Sequence, residues 1–222
     1  MARLIQSLRQ LSPARLYEPT TALTDYLLGV QTLRYAVLLR PGATSRSAQL
    51  WIVALGAAGA AALAGGVHHS VHPGPGDGAR QASWRVVGVT TGLAAAAMLA
   101  AGVYAGVAPP YRPWWLLATL LKSVTFGVLN QTRNDFSLII YDYASSMLLV
   151  IALMLGARPV RPGRRAVITG IVISFLAASI QMSKITLHKH LNHNDLYHLV
   201  QAVAFHQLYT GAQQEQAAGD HA

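Results

Sequence analysis

The sequence predicts an all-α, polytopic membrane protein with seven transmembrane helices, and three observations carry that prediction. Of its 222 residues 53% are hydrophobic and only 11% charged, with a mean hydropathy of +0.35. Soluble domains carry about a quarter charged residues. Seven stretches approach the roughly 20 apolar residues that cross a bilayer. The breaks between them are chemically plain: the Pro-Gly run at 73–78, Pro109-Pro110, and the Arg- and Pro-rich 158–165.

Residues 1–20 precede the first span. Leu4, Leu8 and Leu11 repeat at helical spacing among Arg3, Arg9 and Arg15, the pattern of an amphipathic segment on the membrane surface. The seven-helix domain covers 21–211. Helix one runs from about Thr21 to Leu39 and is the most polar, with Asp25, Gln31 and Arg34. Helix two runs from about Gln49 to His68 and is rich in Ala and Gly. Helix three spans Trp84 to Val107. Helix four opens on Trp114-Trp115, an interfacial aromatic pair, and reaches Asn130. Helices five, six and seven cover Phe136 to Leu155, Ala166 to Leu187, and Asn194 to Gly211. The polar tail 212–222 reads as disordered.

Alternation of seven spans fixes sidedness. On the side where helix one begins, side A, lie His68 to His72, Glu18, Asp25, Asn130, Asp135, Asp142 and the His-rich run 188–198. The opposite side B carries arginines and little else: Arg40, Arg46, Arg112, Arg158, Arg161, Arg164 and Arg165. The positive-inside rule makes B cytoplasmic and the N-terminus external. The expected location is an integral membrane protein of a bacterial inner membrane. The net charge of +9 would suggest nucleic acid in a soluble protein, but no basic face with interleaved aromatics exists, so no nucleic-acid partner is expected. With no cysteine, thiolate and disulfide chemistry are excluded.

Histidine is the commonest metal ligand, and catalytic zinc takes three protein ligands plus a water. Helix two offers His68 or His69, and helix seven offers His198, with His193, Asn194 or Asp195 as the third donor. Asn194 and His198 share a face at i, i+4. Asp142, about a turn inside helix five, is a candidate general base or partner of a histidine, or else an ion pair with Lys122.

At these residues the chain resembles the CREST superfamily, which includes the alkaline ceramidases and the adiponectin/progestin receptors. The family carries a Ser-x-x-x-His element on helix two and His-x-x-x-His on helix seven. Gly65 to His69 and Asn194 to His198 stand at those places, and the resemblance makes His69 the helix-two ligand. The segment Glu18 to Asp25 is similar to the acidic lead into helix one of the ceramidases, which adds Asp25 to the candidate catalytic groups. Three departures stand out: Gly65 replaces the serine, Asn194 replaces a histidine, and helix three has no aspartate. Ser70, His193 and Asp195 would have to substitute.

The resemblance implies a zinc-dependent hydrolase acting on an amide- or ester-linked membrane lipid. A second expectation is a bis-histidine haem b protein, with His68 or His69 facing His198 or His206. A third is a non-catalytic lipid-binding or sensory protein. No lysine on helix seven supports a retinal Schiff base, and the polar groups gather at one face rather than in broken helices at mid-membrane.

Overall fold

The computed structural model describes residues 16–74, 78–133, 136–188 and 190–219. Most of the expected interfacial segment, residues 1–15, lies outside them, as do 75–77 in the Pro-Gly break, Asp135, Lys189 and 220–222. Seven long helices occupy nearly everything described: α1 Pro19–Leu38, α2 Arg46–Ser70, α3 Gly78–Gly106, α4 Arg112–Arg133, α5 Phe136–Gly156, α6 Arg164–Ser183 and α7 His193–Gly219. Single 3-10 turns at Arg40–Gly42 and Pro109–Tyr111 make the tight connections on side B. Four helices are long and apolar enough to cross a membrane: α2, α3, α6 and, from Ser137, α5. This is consistent with an integral membrane protein.

Local chemistry sets the helix ends. Ser45 Oγ accepts the Ala48 amide at 3.1 Å and caps α2. Beyond its far end, Arg80 donates to the carbonyls of His68 and Val71, both at 3.0 Å, groups that a helix C-terminus leaves bare. Arg112 does the same for α3, reaching Tyr104 O at 3.1 Å and Val107 O at 2.9 Å. Asn192 caps α7, its Oδ1 accepting the amides of Asn194 and Asp195. α6 starts after Gly163, whose φ of 76° favours glycine. A Cβ there would also lie 2.1 Å from Gly211 O.

Two boundaries differ from the sequence-based expectation. α3 begins at Gly78 rather than Trp84, because Ala79, Arg80, Gln81 and Ala82 are mostly good helix formers. α7 continues to Gly219, so the tail expected to be disordered from 212 is helical through the described part. Ala212 is buried there, and Gln216 Nε2 donates to Leu39 O at 2.9 Å. Tertiary contacts hold the polar turns. Burial pushes the neighbouring Glu215 carboxyl up, against the lowering pull of Ser47 and Arg161.

Six helices close a ring in the order α1, α2, α3, α5, α6, α7, with α4 laid outside against α3 and α5. Glycines set the closest approach: a Cβ on Gly29 of α1 would stand 3.0 Å from Gly59 O of α2. Side A is drawn together by Tyr17 and Glu18 amides donating to Ser70 and His69 carbonyls, and by Thr21 of α1 donating to Asp195 of α7 at 2.9 Å. The start of α1, the end of α2 and the start of α7 thus meet at one end of the bundle. The large buried side chains Trp51, Leu55, Met98, Met154, Ile171 and Leu208 fill the side B half. The side A half is hollow.

Candidate functional site

A cavity of about 500 Å³ opens inside the ring on side A. Its lower wall is made of small and apolar residues, Ala58, Ala62, Ala94, Met147 and Phe205 among them, and its upper wall is polar. Pockets of this size and mixed lining suit small apolar ligands oriented by few polar contacts.

The polar wall draws side chains from all six helices of the ring. On α1, Thr21, Thr24 and Asp25 share one face at i, i+3 and i+4. His198 of α7 is buried between two of them: its Nδ1 lies 2.8 Å from Thr24 Oγ1 and its Nε2 3.1 Å from Asp25 Oδ1. The ring is thus fixed at both nitrogens. Asp25 Oδ2 is left facing α2 at Gly65, where a Cβ would meet it at 2.9 Å. His69, one turn along from Gly65, lines the same cavity and pairs through Nδ1 with the Glu18 carboxylate. Tyr143 and Tyr197 line it too, and Tyr197 packs its ring edge-on to His198 at 5.2 Å. Deeper, Gln201 donates to Ser174 Oγ at 3.0 Å.

The expected site residues divide accordingly. Asp25, His69, His68, Asn194 and His198 line the cavity. His68 is turned toward α3, its Nδ1 3.1 Å from Arg80 O and its ring against Trp84. Asn194 accepts from Gln181 at 3.2 Å. Asp195 is fully buried, accepting Thr21 Oγ1 and, at 2.7 Å, the Asn192 amide. His193 Nδ1 is buried without a hydrogen-bond partner, and His193 is not in the cavity lining. Ser70 donates to Gly66 O at 2.7 Å and meets Tyr26 OH, off the cavity. Asp142 also lies off it, paired with Lys122. His206 bonds Tyr35 on the outer surface. Sequence reasoning missed Thr24, Tyr143 and Tyr197, and gave Gln201, on the face of Asn194 and His198, no role. Of the three missed, Thr24 alone had a signal, its spacing to Thr21 and Asp25.

The Nδ1 partners of His69 and His198 are the kind that orient zinc-ligating histidines. As the side chains stand, however, no three His, Asp or Glu among the described residues are grouped to hold a metal ion. The donors of the expected three-ligand zinc centre lie apart in this arrangement: Asp25 and His198 converge, while the helix-seven alternatives Asn194 and Asp195 bond Gln181 and Thr21.

Gly65 stands where the resemblance expects serine, and the structure gives the reason. The Asp25 carboxylate occupies the space that a side chain would fill. Gly65→Ser is expected to displace Asp25 from His198 and lower the melting temperature of the purified protein by several degrees. An unshifted melt would mean that the pair tolerates a second polar group.

A family of unknown function (DUF6962) matches residues 20–217. No curated protein and no solved structure matches the chain.

Proposed function

Since the chain belongs to this family, whose function is unknown, we propose from its own geometry that it is a membrane-embedded hydrolase of an amide- or ester-linked lipid. In this reading all seven helices span a bacterial inner membrane, with side A outside. One observation carries it: a carboxylate oxygen, Asp25 Oδ2, is presented to an otherwise largely apolar cavity while the other oxygen is held by a buried histidine.

A base so held is the requirement for activating water. The acyl chain lies among the alanines of the lower wall and brings the carbonyl to the level of Asp25. Asp25 Oδ2 takes a proton from a water, whose oxygen bonds the carbonyl carbon. The carbonyl oxygen becomes an oxyanion, toward which the Tyr143 and Tyr197 hydroxyls can donate. Collapse breaks the C–N or C–O bond, and the leaving nitrogen or oxygen takes the proton back from Asp25. A fatty acid and an amine or alcohol result. Thr24 and His198 position Asp25 and do not touch the substrate.

Protein in lipid nanodiscs, offered long-chain N-acyl amides and acyl esters with labelled chains, should release labelled fatty acid. Asp25→Asn should slow release about 10²–10⁴-fold, the usual weight of a positioned base, without unfolding. No release from any member by the wild type, or full release by Asp25→Asn, would sink the reading. Stoichiometric zinc lost on His198→Leu would move activation of the water from Asp25 to the ion.

A further inference from the structure

On the outer surface of the bundle, away from the cavity, α1 and α7 share a second polar cluster. Gln31 Nε2 donates to Tyr35 OH at 2.8 Å and to Ala202 O at 3.2 Å. Tyr35 OH lies 3.1 Å from His206 Nδ1. The Tyr35 and Tyr209 rings are stacked at 4.5 Å, 10° from parallel. Arg34 and His206 are both exposed beside this stack. Arg34 continues the outward stripe Leu23, Leu27, Val30 and Val37, all more than half exposed.

The Tyr35 oxygen accepts from Gln31 and shares one hydrogen bond with His206 Nδ1. Neither the other ring nitrogen of His206, Nε2, nor the Arg34 guanidinium has a hydrogen-bond partner among the described residues.

The depth of the cluster matters. With α1 and α7 read as membrane spans, as proposed above, the boundary falls near Gly211, which packs against Gly163 in the arginine-rich side B connection. His206 is about 7 Å inside it at 1.5 Å rise per residue. Arg34 is at the same level, since Tyr35 touches His206. A permanent cation and an imidazole nitrogen without a protein partner, both facing lipid at that depth, call for an anionic ligand. A phosphate diester in the side B leaflet is within reach of a snorkelling arginine and matches its paired donors.

We infer that the α1/α7 groove, through Arg34 and His206, binds the phosphate of an anionic phospholipid from the side B leaflet. The site is independent of the cavity and of the hydrolase reading, since none of its residues lines the cavity. The stacked Tyr35–Tyr209 pair lies against His206.

Native mass spectrometry on the whole protein, in micelles with equal phosphatidylglycerol and phosphatidylcholine, tests this. The wild type should retain phosphatidylglycerol roughly tenfold over phosphatidylcholine, and Arg34→Gln/His206→Leu should abolish the preference. Arg158→Gln, an exposed arginine at the same membrane face, should leave it intact. Should the double variant fail to fold, Arg34→Gln alone must weaken retention several-fold. Equal loss in Arg158→Gln would reduce the effect to general surface charge and overturn the site. So would a preference that survives the Arg34 and His206 changes, or a dimer that buries this face and excludes lipid.

Discussion

Asp142→Asn is expected to destabilise the protein by about 3–5 kcal/mol, the usual consequence of removing one partner of a buried pair. Lys122 points from α4 to the Asp142 carboxylate and also donates to Asp142 O and Ser146 Oγ, both at 2.9 Å. Its ammonium sits 5.2 Å from the centre of the Phe126 ring. All three donors are engaged, and both side chains are largely withdrawn from solvent. α4 has little else to hold it, because Thr119 is its one buried residue among those described. Asparagine would leave the cation without its counter-charge in a low-dielectric setting. Lys122→Met should cost a comparable amount from the other side. Lys122→Met/Asp142→Leu should recover most of the loss, since two apolar groups of similar size satisfy one another. Equilibrium unfolding of the wild type, Asp142→Leu, Lys122→Met and the double variant in mixed micelles measures this cycle. Additive losses would mean that the two residues act separately. Fatty-acid release by the double variant should match the wild type, because Asp142 is not in the cavity wall.

The second large effect is expected at Asp195. Its carboxylate accepts the Asn192 amide and the Thr21 hydroxyl, and Asn192 Nδ2 returns to Thr21 at 3.2 Å. This small circuit ties the start of α7 to the start of α1, and the carboxylate sits in the first helical turn, where the dipole favours an anion. Hydrogen bonds to charged groups contribute about 1.5–3 kcal/mol each, so Asp195→Ala should lower stability by roughly 3 kcal/mol or more. Asp195→Asn should lose less. The same loss should appear in protein stripped with a chelator, because hydrogen bonds alone close the circuit. A loss that vanishes on chelation would return Asp195 to the ligand set.

The helices were legible because apolar length and Pro/Gly breaks are local properties. The meeting of Glu18, His69 and Asp195 at one end of the bundle was legible because it follows from counting helices. The pairing of side chains was not. Asp195 and His198 look alike as candidates in the sequence, three residues apart, yet their positions on the helix send one to Thr21 and the other to the cavity. Asp142 and Asp25 are both acids about one turn inside a helix. Only the neighbouring lysine on α4 distinguishes them, and sequence could name that pair but not choose it. Thr24 and the two tyrosines have no signature of their own, since their roles depend on which helix lies opposite. The extension of α7 escaped because Gln, Glu and Ala are disordered or helical according to what they touch.

The contrast between a filled side B half and a hollow side A half has a mechanical consequence. Close-packed interiors scarcely compress, whereas internal voids shrink or flood under load. Hydrostatic pressure therefore acts unevenly on this molecule. The end built on Trp51, Met98 and Met154 responds as a rigid anvil, and the end holding Asp25 and His198 as a compliant chamber. Squeezing should loosen the side A end long before it disturbs the base, and an acyl chain occupying the chamber would stiffen it by removing the space available for collapse.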